Sequence, residues 1–264
     1  MNAVLKFFLL TFAVTWACFF GSAALGGLGG PLFLLGVFAP ALVALALTAR
    51  ADGRKGIEAL LGRILHWQVG ARWYVFAVGY MAAVKLTAAL VHRAATGAWP
   101  RFGETPLVLM VLAIVVSTWV QAGEEIGWRG YALPRLAERL GLAPASLLLG
   151  VIWAVWHLPL FFIPGADTSG QSFPLYLVQV TALSVALAWL YWKTDGSLLL
   201  VMVLHAAINN TKDIVPSGVT GPTAMNPLTL SGSLVGWLTA GLLWIGAIYF
   251  LVGMRRADCG KIIP

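Results

Sequence analysis

Two adjacent carboxylates, Glu124 and Glu125, follow an apolar run that extends from Leu107 to Val120, and Arg129 stands four residues after the second. Neighbours on an α-helix differ by about 100°, so the two carboxylates point in different directions, whereas Glu125 and Arg129 share a face. Arg129 then holds Glu125, and Glu124 is left to face something else. A carboxylate without a cationic partner suits a general base, which must be free to take a proton. His157 lies in the apolar segment Trp153-Ala-Val-Trp-His-Leu-Pro159, with no charge near it in sequence. His205 and Asn209 stand four apart in Leu204-His-Ala-Ala-Ile-Asn-Asn210. Both therefore project from one helix face, and Asn210 is one step off it. Read singly, each piece has a bland alternative: a solvated helix end for the carboxylates, a packing residue for His157, and a pair of helix-packing hydrogen bonds for His205 and Asn209.

The elements that must position these groups are membrane spans. The chain is 60% hydrophobic and 10% charged, against about 25% charged in soluble domains. So few charges do not cover a surface for water, and lipid is the natural solvent. A span needs about 20 apolar residues. Eight runs approach that length: 7–25, 31–49, 73–92, 106–128, 144–163, 174–192, 197–215 and 232–254. The expected fold is all-α, a polytopic membrane protein of about eight helices with a polar intramembrane cavity. It forms one domain over 1–264, with the motif-bearing core at about 106–215. The first run follows Lys6 and precedes Ser22-Ala23-Ala24, as in a signal peptide. It is long for that purpose and a second span follows at once, so it is read as retained.

Charge gives the orientation. With both termini inside, the inner segments hold thirteen basic residues: Lys6, Arg50, Arg54, Lys55, Arg63, Arg72, Arg129, Arg135, Arg139, Lys193, Arg255, Arg256 and Lys261. The outer loops hold three, Arg93, Arg101 and Lys212. This asymmetry places both termini in the cytoplasm, and it accounts for the formal charge of +7 without nucleic acid as a partner. The segment 50–72 mixes Arg with Ile57, Leu60, Leu61, Ile64 and Leu65, which suits an amphipathic helix on the inner leaflet. Cys18 and Cys259 lie far apart and give neither a disulfide framework nor zinc spacing.

A count of depth joins the polar pieces. If the fourth helix runs on to about Pro134, turns near Gly141 and returns as the fifth, Glu124 and His157 each lie about 15 Å from the inner surface by helix rise. His205 lies about 12 Å above Ser197 by the same rise, with Asn209 one turn deeper. Three helices thus bring a Glu, two His and an Asn to similar depth, which independent packing residues have no reason to share. Charges within a span cost about 2.5–3.5 kcal/mol each, and polar groups there are tolerated where they line a water-filled cavity. Lys85, the remaining charge within a span, is expected to snorkel to the outer surface.

Glu124-Glu125…Arg129, Trp153…His157 and His205…Asn209 resemble, in order, the EExxxR, FxxxH and HxxxN motifs of the CAAX protease and bacteriocin-processing family, also called the CPBP or Abi family. The resemblance covers about 120–210. The runs Gly127-Trp-Arg-Gly-Tyr131 and Trp156-His-Leu-Pro159 look like bacterial members. Trp153 departs from the Phe of the pattern but keeps an aromatic one turn before His157. The resemblance implies an intramembrane endopeptidase of the bacterial cytoplasmic membrane, with a membrane-associated protein or peptide as substrate. By analogy, Glu124 would activate the attacking water and His157 would hold and polarise it. His205 and Asn209 would donate hydrogen bonds to the oxyanion, and Glu125 and Arg129 would set the geometry. Ser184 and Ser197 lack a partner base, and there is no H-E-x-x-H zinc motif. A metal-free glutamate mechanism is favoured, because Asn209 is a poor zinc ligand and the two His come from different helices without an evident second shell. The alternative is a divalent metal such as zinc, held by Glu124, His157 and His205. Two other functions stay open. One is a non-catalytic membrane factor, in bacteriocin immunity or as a scaffold. The other is a proton-coupled transporter, against which stands the lack of an internal repeat.

Overall fold

The computed structural model describes residues 3–168, 170–217 and 226–255, which leaves Arg256, Lys261 and Cys259 of the tail outside the described residues. The elements among the described residues are all helical. In chain order the α-helices are α1 (Ala3–Leu25), α2 (Gly30–Gly62), α3 (Ala71–Thr96), α4 (Leu107–Val120), α5 (Ala122–Glu125), α6 (Leu133–Leu140), α7 (Leu142–Trp156), α8 (Phe173–Lys193), α9 (Leu198–Thr211) and α10 (Leu234–Arg255). A seven-residue π-helix, Ile126–Ala132, joins α5 to α6.

The eight apolar runs reappear in order, and six of the resulting helical stretches are long and apolar enough to cross a membrane. The other two are shorter than their sequence suggests. The expected span 144–163 is a 15-residue helix, α7, followed by the 3-10 turn Leu158–Phe161. The expected span 197–215 is a 14-residue helix, α9. At 1.5 Å per residue these reach about 21–23 Å, against a hydrocarbon thickness of about 30 Å. Pro159 explains the first break: it has no N–H to continue the ladder, and it disfavours helical backbone at Leu158. Irregular backbone at such depth survives only inside protein or beside a water-filled cavity. Both short helices are packed that way, with α7 and α9 contributing many fully buried residues to the core.

The segment 50–72 is helical through Gly62 as the end of α2, but it is broken at Gly53, whose φ of 62° and ψ of −153° only glycine adopts readily. Arg63 anchors it, donating from Nη1 to the Tyr191 hydroxyl at 2.6 Å. The turn expected near Gly141 is present, with φ 79° between α6 and α7. Lys85 departs from expectation. It is 2% exposed and donates to Ser217 Oγ, so it does not snorkel but ties the segment after α9 to α3.

Two devices place the motif helices. Ser197 caps α9, its Oγ accepting from Leu200 N and donating to the His66 carbonyl at 2.6 Å. This fixes where α9, and with it His205, begins. The second device is close approach. Pro40 lies inside α2 and leaves the Gly36 carbonyl without its helical donor; Thr15 Oγ1 of α1 supplies one at 2.9 Å. On the facing surface, a Cβ at Gly127 would stand 2.7 Å from the Pro40 carbonyl carbon and oxygen, and one at Gly123 would stand 2.9 Å from the Phe38 ring. The small-xxx-small pair Gly123 and Gly127 therefore lets the carboxylate-bearing stretch lie directly on α2. Gly127→Ala is expected to lower stability by at least about 1–3 kcal/mol, the range for overpacking, read as a fall in thermal midpoint in detergent. Gly79→Ala, where an added Cβ meets nothing within 4 Å, is the control. Equal midpoints for the two variants would contradict the close-approach account.

Candidate active site

The carboxylates stand where α4 gives way, after Gln121, to the single turn α5 and then the π-helix. A continuous α-helix through this stretch was expected; an i→i+5 turn takes its place, an irregularity that recurs at functional sites. Glu125 and Arg129 are both fully buried. Arg129 Nη1 donates to both carboxylate oxygens of Glu125, at 2.9 and 3.1 Å. The guanidinium also lies over the Trp153 ring, 4.5 Å from its centroid. The expected pairing of Glu125 with Arg129 is thus formed. Glu124 makes no ion pair of its own among the described residues, as expected, but its Oε2 accepts from Trp153 Nε1 at 2.7 Å.

The two histidines come from the ends of the short helices. His157 closes α7, and its Nδ1 lies 2.9 Å from the Trp153 carbonyl. A carbonyl oxygen only accepts, so Nδ1 carries the proton, and in the neutral ring Nε2 keeps its lone pair. His205 Nδ1 lies 2.7 Å from Glu125 Oε1, so it too donates from Nδ1. Each His thus has a partner that fixes its orientation, of the kind that a second shell provides, where the sequence shows none. His205 is held by Glu125 and not by Glu124. Rings close the arrangement. The Trp153 ring centroid lies 5.2 Å from that of His205 and 5.6 Å from that of His157. Trp156 and Tyr176 meet the other sides of His157, at 4.6 and 5.6 Å.

Asn209 is not part of this cluster. It is exposed and lines a cavity of about 270 Å³ between α4 and α9, with Phe102, Thr105, Met110, Asn210 and Asp213. Asn210, at the same cavity, donates to Ser117 Oγ at 2.9 Å and to the Ala206 carbonyl at 2.8 Å. The structure therefore unites Glu124, Glu125, Arg129, His157 and His205, and leaves Asn209 one turn beyond His205, facing the cavity. The serines set aside as nucleophiles have other tasks: Ser184 donates to the Ser146 carbonyl at 3.0 Å, and Ser197 caps α9.

The donor set also bears on a metal. Glu124, His157 and His205 come from three helices, but no group of three or more His, Cys, Asp or Glu side chains converges to hold an ion among the described residues. Glu125 is already shared between Arg129 and His205. The arrangement does not fit a zinc site of three protein ligands.

Two residues of this site escaped sequence reasoning. The sequence shows Trp153 only as an aromatic one turn before His157, whereas its indole N–H is the hydrogen-bond donor to Glu124. Tyr176 of α8 carried no sequence signal at all.

Comparison with known proteins bears on the same stretch. A family model described as Rce1-like, type II CAAX prenyl endopeptidase, matches residues 104–211, which contain every residue of the cluster. Over 230 residues the chain is 25% identical to a protein of Methanococcus maripaludis named CAAX prenyl protease 2, covering 79% of this chain and 83% of that protein.

Proposed function

The chain belongs to the CAAX protease and bacteriocin-processing family and is a peptidase, and from that premise we propose that it is an intramembrane endopeptidase in which Glu124 activates water against a peptide bond of a membrane-associated substrate. One observation carries this reading. Glu124 is a buried carboxylate with one oxygen tied to an indole N–H, and the nearby Arg129 makes its ion pair with Glu125 instead. Its neighbour Glu125 is wholly occupied by Arg129 and His205. Two adjacent carboxylates in contrasting environments divide their roles in the way acid–base pairs do.

The chemistry follows from the hydrogen-bond inventory. A water between Glu124 and His157 directs one hydrogen at the carboxylate and the other at the free Nε2 of His157. Its lone pairs are then aimed at the carbonyl carbon. Glu124 takes the proton as the C–O bond forms and returns it to the amide nitrogen as the C–N bond breaks. The oxyanion needs donors. His205 serves in its doubly protonated form, Nδ1–H on Glu125 and Nε2–H on the oxyanion; Asn209, exposed and facing the separate cavity, takes no part. Each such donor is worth about 3–4 kcal/mol in the transition state. Glu125 and Arg129 hold His205 in place. The core at about 106–215 supplies all of these groups, and the remaining helices enclose them.

We place the inner, basic ends of the helices, and both termini, in the cytoplasm. The substrate class is a peptide segment carried to the membrane by a lipid or a span, as the name of the Methanococcus relative says for prenylated proteins. No metal takes part. The test is cleavage of a farnesylated C-terminal peptide, and of a membrane-anchored unprenylated one, by purified protein in proteoliposomes before and after a strong chelator. Cleavage at an unchanged rate after chelation is expected. Loss of activity that added zinc restores would overturn the metal-free mechanism.

A further inference from the structure

Trp153 touches more of the site than any of the residues that the chemistry needs. Its side chain is 3% exposed. The indole Nε1–H donates to Glu124 Oε2 at 2.7 Å. Its backbone carbonyl accepts from His157 Nδ1 at 2.9 Å. Its ring carries the Arg129 guanidinium on one side, at 4.5 Å, and meets His205 edge-on at 5.2 Å with an interplanar angle of 86°. One residue of α7 is thus in contact with Glu124, Arg129, His157 and His205, which come from three separate helical stretches.

We propose that Trp153 is the positioning residue of the reaction: its indole N–H claims Oε2 of Glu124, so that Oε1 alone faces the water, while its carbonyl holds His157 with Nε2 free. This rests on the reading of Glu124 as the base. A buried carboxylate without such a donor rotates about its last bond and presents either oxygen, or neither, to the water. An indole N–H is donor only, so it fills Oε2 without competing for the proton that Glu124 must take. The rigid ring, packed between Arg129 and the two imidazoles, fixes the direction of that bond. A phenylalanine at 153 fills most of the volume but has no hydrogen to give.

The test compares native protein with Trp153→Phe and with a variant carrying 3-benzothienylalanine at 153, in which sulfur replaces the N–H and the bicyclic shape is kept. Both variants are expected to lose about 10- to 100-fold in kcat, the range for one hydrogen bond to a charged group, with KM within about twofold, because the bond orients the base and does not bind substrate. The infrared carboxylate band of Glu124, isolated as the difference from Glu124→Gln, is expected to shift in both. The isostere guards against a packing explanation. Should it keep native kcat while Trp153→Phe loses activity, the ring and not the N–H matters, and the proposal falls. It falls equally if both variants keep native kcat, if the loss lies in KM, or if the band stays in place. Glu124→Gln separates the two levels. If that variant still cleaves, the base reading fails and this proposal with it. If it is inactive and the Trp153 variants are native, only the role of Trp153 is refuted.

Discussion

Glu124→Gln is expected to reduce peptide cleavage by about 10²- to 10⁴-fold, the contribution of a positioned general base, while leaving the protein folded. The two halves of this expectation have separate physical grounds. Gln has the shape of Glu but no basic oxygen, so it holds the water without taking its proton. The fold is spared because the hydrogen bond of Glu124 is to the indole N–H of Trp153, which an amide oxygen accepts as well as a carboxylate oxygen does, and Arg129 keeps its ion pair with Glu125. No buried cation is left without a partner, and no donor is orphaned. The measurement is the initial rate on a membrane-anchored peptide, with the thermal midpoint in detergent taken on the same preparation. Cleavage within tenfold of native would refute the assignment of the base. Loss of activity together with a large fall in midpoint would show that the charge has a structural task which the contacts do not reveal.

Glu125 shows why the neighbouring position is different, and why sequence alone could separate the two. The i, i+4 spacing of Glu125 and Arg129 is readable from the chain, and the ion pair forms although the turn between them is π and not α. The π-turn itself was not readable from the spacing, and neither was the tertiary contact that sets Gly127 against Pro40 of another helix. The order of the spans was legible, since apolar runs bounded by charged or turn residues mark them. The lengths of α7 and α9 were not, because Leu158, Leu160 and Phe161 are as apolar as a helix that continues. Only Pro159 signalled the break. The shared depth of Glu124, His157 and His205 followed from helix rise. Which carboxylate His205 meets did not, since adjacent residues on one helix sit at the same depth. Asn209 shows the same limit. Helical spacing puts it on the His205 face, but what lies opposite, a cavity and not the carboxylates, belongs to α4 and the loop before it. For Lys85 the sequence shows a route to the outer surface but not the segment carrying Ser217, whose hydroxyl holds it inside.

Arg129→Met is expected to be the most destabilising single change in the site, by about 3–5 kcal/mol, because it leaves the Glu125 carboxylate buried with no permanent cation. Both partners are fully buried, so solvent does not screen the loss. His205 Nδ1–H remains as one donor to Glu125, but a single imidazole N–H does not replace a guanidinium that meets both carboxylate oxygens, and the contact over the Trp153 ring goes as well. A cost of this size approaches the whole stability of a typical domain, so the variant should be recovered poorly from membranes and melt far below native protein. A double variant is the sharper test. Arg129→Met with Glu125→Gln removes both charges together, and replacing a buried pair by neutral groups of similar size is often without cost. The double variant is therefore expected to melt above Arg129→Met and close to native protein, yet to remain inactive, since a Gln at 125 no longer stabilises the doubly protonated His205 that the oxyanion requires. Thermal midpoints of the native, two single and double proteins form the cycle. A double variant no more stable than Arg129→Met would mean that the guanidinium stabilises the fold through its packing between the π-helix and α7, and not through the charge of Glu125.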